Sequence, residues 1–300
     1  MSYAYLHWDV FTSEPLQGNQ LAVFTSAAGL DTLTMQRVAR EMNFSESTFL
    51  LPAERSDTDV RMRIFTPLQE MPMAGHPTIG STFALAHCGF LEPGRPRVVF
   101  GLNVGPTPVD LEWEGGRLGF AWMTQSRPEF GDAVDSRSLV AATLGLTLAD
   151  LAEDLPLQIV SCGVPFLFVP LRDRETVDRA VSDTAGFRRL TDVLGQELAI
   201  FLFAPLSSGS EAATYSRMFA PSFGVFEDPA TGSAAGPLGC YLVEHGLVGR
   251  AAQASMLTLQ GVAMGRPSQL HVAVDGVPGA ITGVRVGGRA VLVGRGELFL

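Results

Sequence analysis

Apolar positions along this chain change their period several times. Over residues 4–11 and 21–24 they run almost without interruption, as in strands with both faces covered. Over residues 31–42 the period lengthens, and Met35, Val38 and Met42 fall on one face of a helix. Residues 44–51 and 60–66 read as two more strands. The mixture then returns, with an amphipathic helix near 138–144, strands at 157–161 and 166–171, helices across 175–194 and a strand at 198–203. Strands outnumber helices and do not alternate regularly with them, which predicts an α+β fold with a mostly antiparallel sheet.

Two segments depart from this amphipathic pattern. Residues 78–86 and 234–243 are rich in Ala, Gly and Leu and carry no charge on any face. A helix apolar all round must be enclosed, so each is expected to run through the middle of a curved sheet. Both follow similar stretches: Arg63-Ile64-Phe65-Thr66-Pro67 leads to Ala74-Gly75-His76, and Arg217-Met218-Phe219-Ala220-Pro221 leads to Thr231-Gly232-Ser233. Gly18 to Phe24 likewise resembles Gly163 to Val169. The offsets, 145 residues for Gly18 to Gly163 and 157 for Gly75 to Gly232, are too long for a solenoid and fit two copies of one unit. A Gly-Gly hairpin is expected to close each copy, over 109–123 at Gly115-Gly116 and over 284–293 at Gly287-Gly288. The predicted organisation is two similar domains, 1–125 and 126–300, with the last strand free to cross back to the first.

The starts of the two apolar helices are the first candidates for chemistry. Pro77 suits a first helical position, which makes His76 the expected N-cap, and the aligned Ser233 is a favoured N-cap type. A helix start offers unpaired N–H groups and about half a positive charge. Two of them converging at Gly75 and Gly232 would hold a carboxylate without Arg or Lys. The candidate proton carrier is Glu46, because in a strand Phe44, Glu46, Thr48 and Leu50 share a face. A carboxyl kept among apolar groups has a raised pKa and can take and return a proton near neutral pH. The bland alternative places Glu46 at a strand edge in water.

Composition narrows the partners. Among 300 residues, hydrophobic types make up 46% and charged types 17%, as in a compact globular chain, and the net charge of −10 disfavours nucleic acid and anionic membranes. No apolar run approaches the ~18 residues that span a bilayer. The start reads directly as a strand, so a cytoplasmic protein without a leader is expected. Cys88, Cys162 and Cys240 are odd in number and widely spaced, which suggests reduced thiols and neither a disulfide framework nor a metal site. Cys88 and Cys240, near the ends of the apolar segments, are expected to be packing residues.

Several stretches resemble the phenazine-biosynthesis isomerase family, often called PhzF-like, which shares the diaminopimelate epimerase fold. They are Asp9-Val10-Phe11 through Gly18-Asn19 to Val23-Phe24, Asn43 to Phe49, Arg63 to Pro67 with Ala74-Gly75-His76-Pro77, and Ser216 to Phe219 with Glu227 to Pro237. They span most of the chain in the family's order. The resemblance implies an isomerase without cofactor or metal, generally a homodimer, with its site in a cleft between the two domains. It matches Glu46 to the general acid/base and Gly75, His76, Asp228, Gly232 and Ser233 to substrate-binding and catalytic groups, and Ser45 and Thr231 are expected to bind substrate beside them. The implied substrate is a small anionic cyclic amino acid or related carboxylate, with trans-2,3-dihydro-3-hydroxyanthranilate first. Racemases of this fold use two cysteines at the helix starts, and here those positions are Ala74 and Thr231. A small-carboxylate binding protein without turnover is the alternative of a different class.

Overall fold

The computed structural model describes residues 2–207, 209–249 and 251–300. Among them, the first part of the chain forms strands β1 (Ser2–Val10), β2 (Asn19–Phe24), β3 (Glu46–Leu51), β4 (Val60–Phe65), β5 (Glu70–Met71), β6 (Arg97–Leu102), β7 (Gly105–Glu114) and β8 (Arg117–Thr124). The second forms β9 (Glu129–Ala133), β10 (Gln158–Ser161), β11 (Pro165–Pro170), β12 (Ala199–Pro205), β13 (Thr214–Ala220), β14 (Val225–Asp228), β15 (Gln253–Gln260), β16 (Ser268–Val277), β17 (Ala280–Gly288) and β18 (Ala290–Phe299). Six α-helices join them: α1 (Thr32–Met42), α2 (Gly75–His87), α3 (Arg137–Thr143), α4 (Arg174–Arg179), α5 (Thr184–Leu194) and α6 (Gly232–Glu244). The fold is mixed and dominated by sheet.

Strand pairing follows one path through both parts. From β18 it passes to β1 and β2 antiparallel, to β3 parallel, to β4 antiparallel, to β6 parallel, and through β7 to β8 antiparallel. From β9 it passes to β10 and β11 antiparallel, to β12 parallel, to β13 antiparallel, to β15 parallel, and through β16 to β17 antiparallel. The order of parallel and antiparallel steps is the same. Antiparallel pairing of β8 with β17 joins the two runs. Short strands β5 and β14 fold back on β4 and β13 and lead the chain into α2 and α6.

Helix α2 packs against β1, β2, β3 and β8, and α6 against β10, β11, β16 and β17. Every residue of α2 from Gly75 to Leu85 is buried, as is almost all of α6. Full burial of Ile79, Leu85, Leu238 and Leu242 contributes about 1.5–3 kcal/mol each, which drives uncharged segments inside a sheet. Helix α1 instead shows one buried face, Met35, Val38 and Ala39, and its start is fixed by Asp31, whose side chain accepts from Thr34 N at 2.7 Å.

Three expectations are corrected. Gly287 and Gly288 do not turn a hairpin: they lie in β17 opposite Trp122 and Ala121, and β18 leaves to pair with β1. A Cβ on Gly287 would come 2.5 Å from the Phe120 ring, and one on Gly288 2.4 Å from Phe11, so tertiary packing selects these glycines. The helix caps also shift. Helix α2 begins at Gly75 with Ala74 as N-cap, and α6 at Gly232 with Thr231 as N-cap, so His76 and Ser233 are each the second helical residue. Pro77 is tolerated third because no N–H of the first turn has a helical partner. Finally, Cys88 is exposed at the end of α2, whereas Cys240 is buried.

Candidate active site

Helices α2 and α6 meet at their starts. A Cβ added to Gly75 would fall 2.4 Å from the Gly232 carbonyl carbon, and one added to Gly232 2.9 Å from Gly75 Cα. Only glycine lets the two backbones approach this closely. Among the described residues no side chain caps either helix, so N–H groups at the very start of each are left for another acceptor. Next to this junction opens a cleft. All eight residues singled out from the sequence line it: Ser45, Glu46, Gly75, His76, Asp228, Thr231, Gly232 and Ser233. Its walls are apolar, with Met71, Met73, Phe166, Met218, Phe223 and Val225, and no Lys or Arg lines it among the described residues.

Glu46 opens β3. Two residues on, Thr48 Oγ1 lies 3.0 Å from Ser81 Oγ of α2, so this face of β3 looks onto α2 and the period of two turns Glu46 toward the helix start. Its Oε2 lies 3.0 Å from His76 Nδ1, with side chains 15% and 2% exposed. Burial, and then the charge of Asp228, raise the Glu46 carboxyl well above the usual carboxylate range. Burial holds the His76 imidazole down at about 3, with the Gln20 backbone opposing, so it is neutral at pH 7. The pair thus shares a single contact at which either the carboxylic acid donates to bare Nδ1, or Nδ1–H donates to the carboxylate.

Asp228 ends β14 and is 5% exposed. Asn19 Nδ2 donates to its Oδ1 at 2.7 Å and the Thr231 hydroxyl to its Oδ2 at 2.6 Å. Burial raises the Asp228 carboxyl, while hydrogen bonds from Thr231, Ser45 and Asn19 pull it back. Asn19 Nδ2 also lies 2.9 Å from the Ala230 carbonyl and 3.1 Å from His76 Nδ1. Its two hydrogens are satisfied by Asp228 and Ala230, which leaves Nδ1 to Glu46. Asn19 therefore ties β2 to β14 and to the turn into α6.

Sequence reasoning missed two residues of this network, Asn19 and Gln260. Gln260 is fully buried and holds the turn before α6 through Asp228 O, Thr231 N and Thr231 Oγ1 at 2.7, 2.9 and 2.9 Å. Polar side chains at strand ends carry no periodic signal; the signal available was a buried-looking Asn after Gly18, whose φ is +67°, and a Gln before Gly261, at +74°. In chemical terms the cleft can hold a carboxylate at the helix starts, an apolar body along its walls, and a proton on Glu46.

Residues 8–296 match the family described as phenazine biosynthesis-like protein. A trans-2,3-dihydro-3-hydroxyanthranilate isomerase of Pseudomonas aeruginosa is 37% identical over 298 residues, covering 99% of this chain and all of its own. Among solved structures, the Bacillus anthracis phenazine biosynthesis protein of the PhzF family matches with a TM-score of 0.89 at 28% identity, over 100% of both chains. A hydroxyproline epimerase from Agrobacterium vitis, 14% identical with a TM-score of 0.66, covers 99% of this chain and 92% of its own and shares the fold.

Proposed function

Because the chain belongs to the phenazine biosynthesis-like family and is an isomerase, we propose that it shifts a proton along a small unsaturated carboxylate, with Glu46 as the carrier. The observation that carries this reading is the Glu46–His76 contact of 3.0 Å beside two uncapped helix starts. Substrate binds with its carboxylate at Gly75, Gly232 and Ser233 and its ring along the methionine and phenylalanine walls. Glu46, as carboxylate, takes a proton from one carbon; the C–H electrons move through the diene, and the carboxylic acid so formed returns a proton at the far end. One carboxyl acting as base and then acid suits a shuttle on one face of a ring. His76 holds the Glu46 proton in place through Nδ1, and Asp228 faces the same space as a hydrogen-bonded carboxylate. The best substrate is trans-2,3-dihydro-3-hydroxyanthranilate, on the identity with the Pseudomonas aeruginosa enzyme. The matched order of strand pairings supports two domains from an internal duplication, with β18 returned to the first. We also place the enzyme in the cytoplasm as a homodimer.

The test is incubation of the purified protein with that substrate in deuterated water, following absorbance and deuterium incorporation, with Glu46→Gln in parallel. Consumption by the native protein alone is expected, with the variant still binding 3-hydroxyanthranilate. Unchanged turnover in Glu46→Gln sinks the shuttle.

A further inference from the structure

We infer that Gln260 is a positioning residue: its amide fixes the direction of the Thr231 hydroxyl, and so keeps Asp228 a hydrogen-bond acceptor in the cleft. A threonine hydroxyl has one hydrogen and two lone pairs. Gln260 Nε2 donates to Thr231 Oγ1 at 2.9 Å, while Gln260 Oε1 is occupied by Thr231 N at 2.9 Å. The hydroxyl hydrogen then goes to Asp228 Oδ2 at 2.6 Å. The second Gln260 hydrogen goes to Asp228 O at 2.7 Å, so one amide sets both ends of the Asp228–Thr231 turn. Gln260 itself is held by the parallel pairing of Ser216 with Gln260 between β13 and β15, away from the cleft lining.

The consequence is electrostatic. Asp228 is faced by Glu46 from β3, by His76 of α2 through Asn19, and by its neighbour Glu227, which Arg217 neutralises through two hydrogen bonds of 2.7 and 2.8 Å. No free cation among the described residues holds its charge, so the hydroxyl and amide donors do. A hydroxyl turned away would leave a buried carboxylate short of a donor, and its pKa would rise. The Thr231 hydroxyl is also thereby committed within the protein and is not a substrate donor. This inference rests on the reading of Asp228 as a carboxylate in the working cleft.

Gln260→Glu tests it. The added carboxylate keeps an acceptor for Thr231 N but competes for the hydroxyl hydrogen. Titration of the Asp228 carboxyl carbon by 13C NMR, assigned with Asp228→Asn, needs no turnover. The expected result is an upward move of the Asp228 midpoint by about one pH unit, a tenfold change in its proton affinity. Thr231→Val should raise the midpoint similarly, and Thr231→Ser should leave it in place. In a Thr231→Val background, Gln260→Met should add no further shift, because its route through the hydroxyl is already gone. An unmoved midpoint in folded Gln260→Glu or in Thr231→Val overturns the inference. Loss of the shuttle would show separately, as turnover in Glu46→Gln.

Discussion

Replacing Gly75 by Ala adds one methyl group at the junction of the two helix starts. That Cβ would lie 2.4 Å from Gly232 C and Cα and 2.5 Å from Ser233 N. All three are backbone atoms, which no rotamer change can remove. Non-bonded carbons prefer about 3.5–4.0 Å, so the helix starts must part by about 1 Å. Overpacking of this size costs about 1–3 kcal/mol, and the better helix propensity of Ala returns up to about 1 kcal/mol. The net loss of roughly 0–3 kcal/mol lowers Tm by about 5 °C at most for a chain of this length. Catalysis should suffer more, because a displacement of about 1 Å between carboxylate site and proton carrier costs on the order of 100-fold. The assay pairs thermal unfolding with turnover of trans-2,3-dihydro-3-hydroxyanthranilate, and Gly294→Ala, where a Cβ meets nothing within 4 Å, serves as control. A Gly75→Ala enzyme within twofold of the native rate would refute the view that the touching backbones build the site.

Two more predictions concern charge. In Asp228→Asn, Glu46 loses the neighbouring charge that helps to raise its carboxyl. Its titration midpoint should fall, moving the acidic limb of the rate profile to lower pH; an upward move would contradict the coupling. For His76, the folded state prefers the neutral ring, with a pKa of about 3 against roughly 6.5 when unfolded. That contribution to stability is complete above pH 6.5 and is lost as pH falls from there toward 3, at up to about 1.4 kcal/mol per unit. Glu46 and Asp228 act in the opposite sense, since raised carboxyls lose stability as pH climbs above the unfolded carboxyl range. The difference between native protein and His76→Gln isolates the histidine: urea midpoints measured from pH 7 to 5 should drop more steeply in the native protein. Parallel slopes would show that His76 does not gain a proton on unfolding.

Much of the fold was legible because burial writes a period into sequence. The uncharged stretches 78–86 and 234–243 foretold two enclosed helices, and Met35 and Val38 foretold the face of α1. Paired stretches around Gly75 and Gly232 pointed to one shared place because close backbone contact demands glycine on both sides. Local chemistry misled where distant contacts decide. Gly287-Gly288 has the residues of a turn, yet Phe120, Trp122 and Phe11 occupy the space that side chains would fill. His76 and Ser233 have the look of caps, but the caps fall two residues earlier, at Ala74 and Thr231, which turns these side chains into first-turn residues of the cleft. Asn19 and Gln260 meet Asp228 from 209 and 32 residues away, and no spacing rule connects such partners.

The chain carries a net charge of −10, and among the described residues no Lys or Arg lines the cleft, so any attraction for an anion must come from the helix starts. Half a charge at each helix start, about 4 Å from a carboxylate and with an effective dielectric constant near 20, is worth roughly 2 kcal/mol, so the two starts supply roughly 4. A full charge on Asp228 at a similar distance would cancel that sum. The cleft is therefore close to balanced for a bare anion and is selective for what else the ligand carries. Burial raises the neighbouring Glu46 carboxyl, so it repels an anion less than an ordinary carboxylate would. Asn19 and Thr231 spread the Asp228 charge over their donors. A ligand that sets its carboxylate on the helix starts and an amino group or other donor against Asp228 turns the opposing charge into attraction.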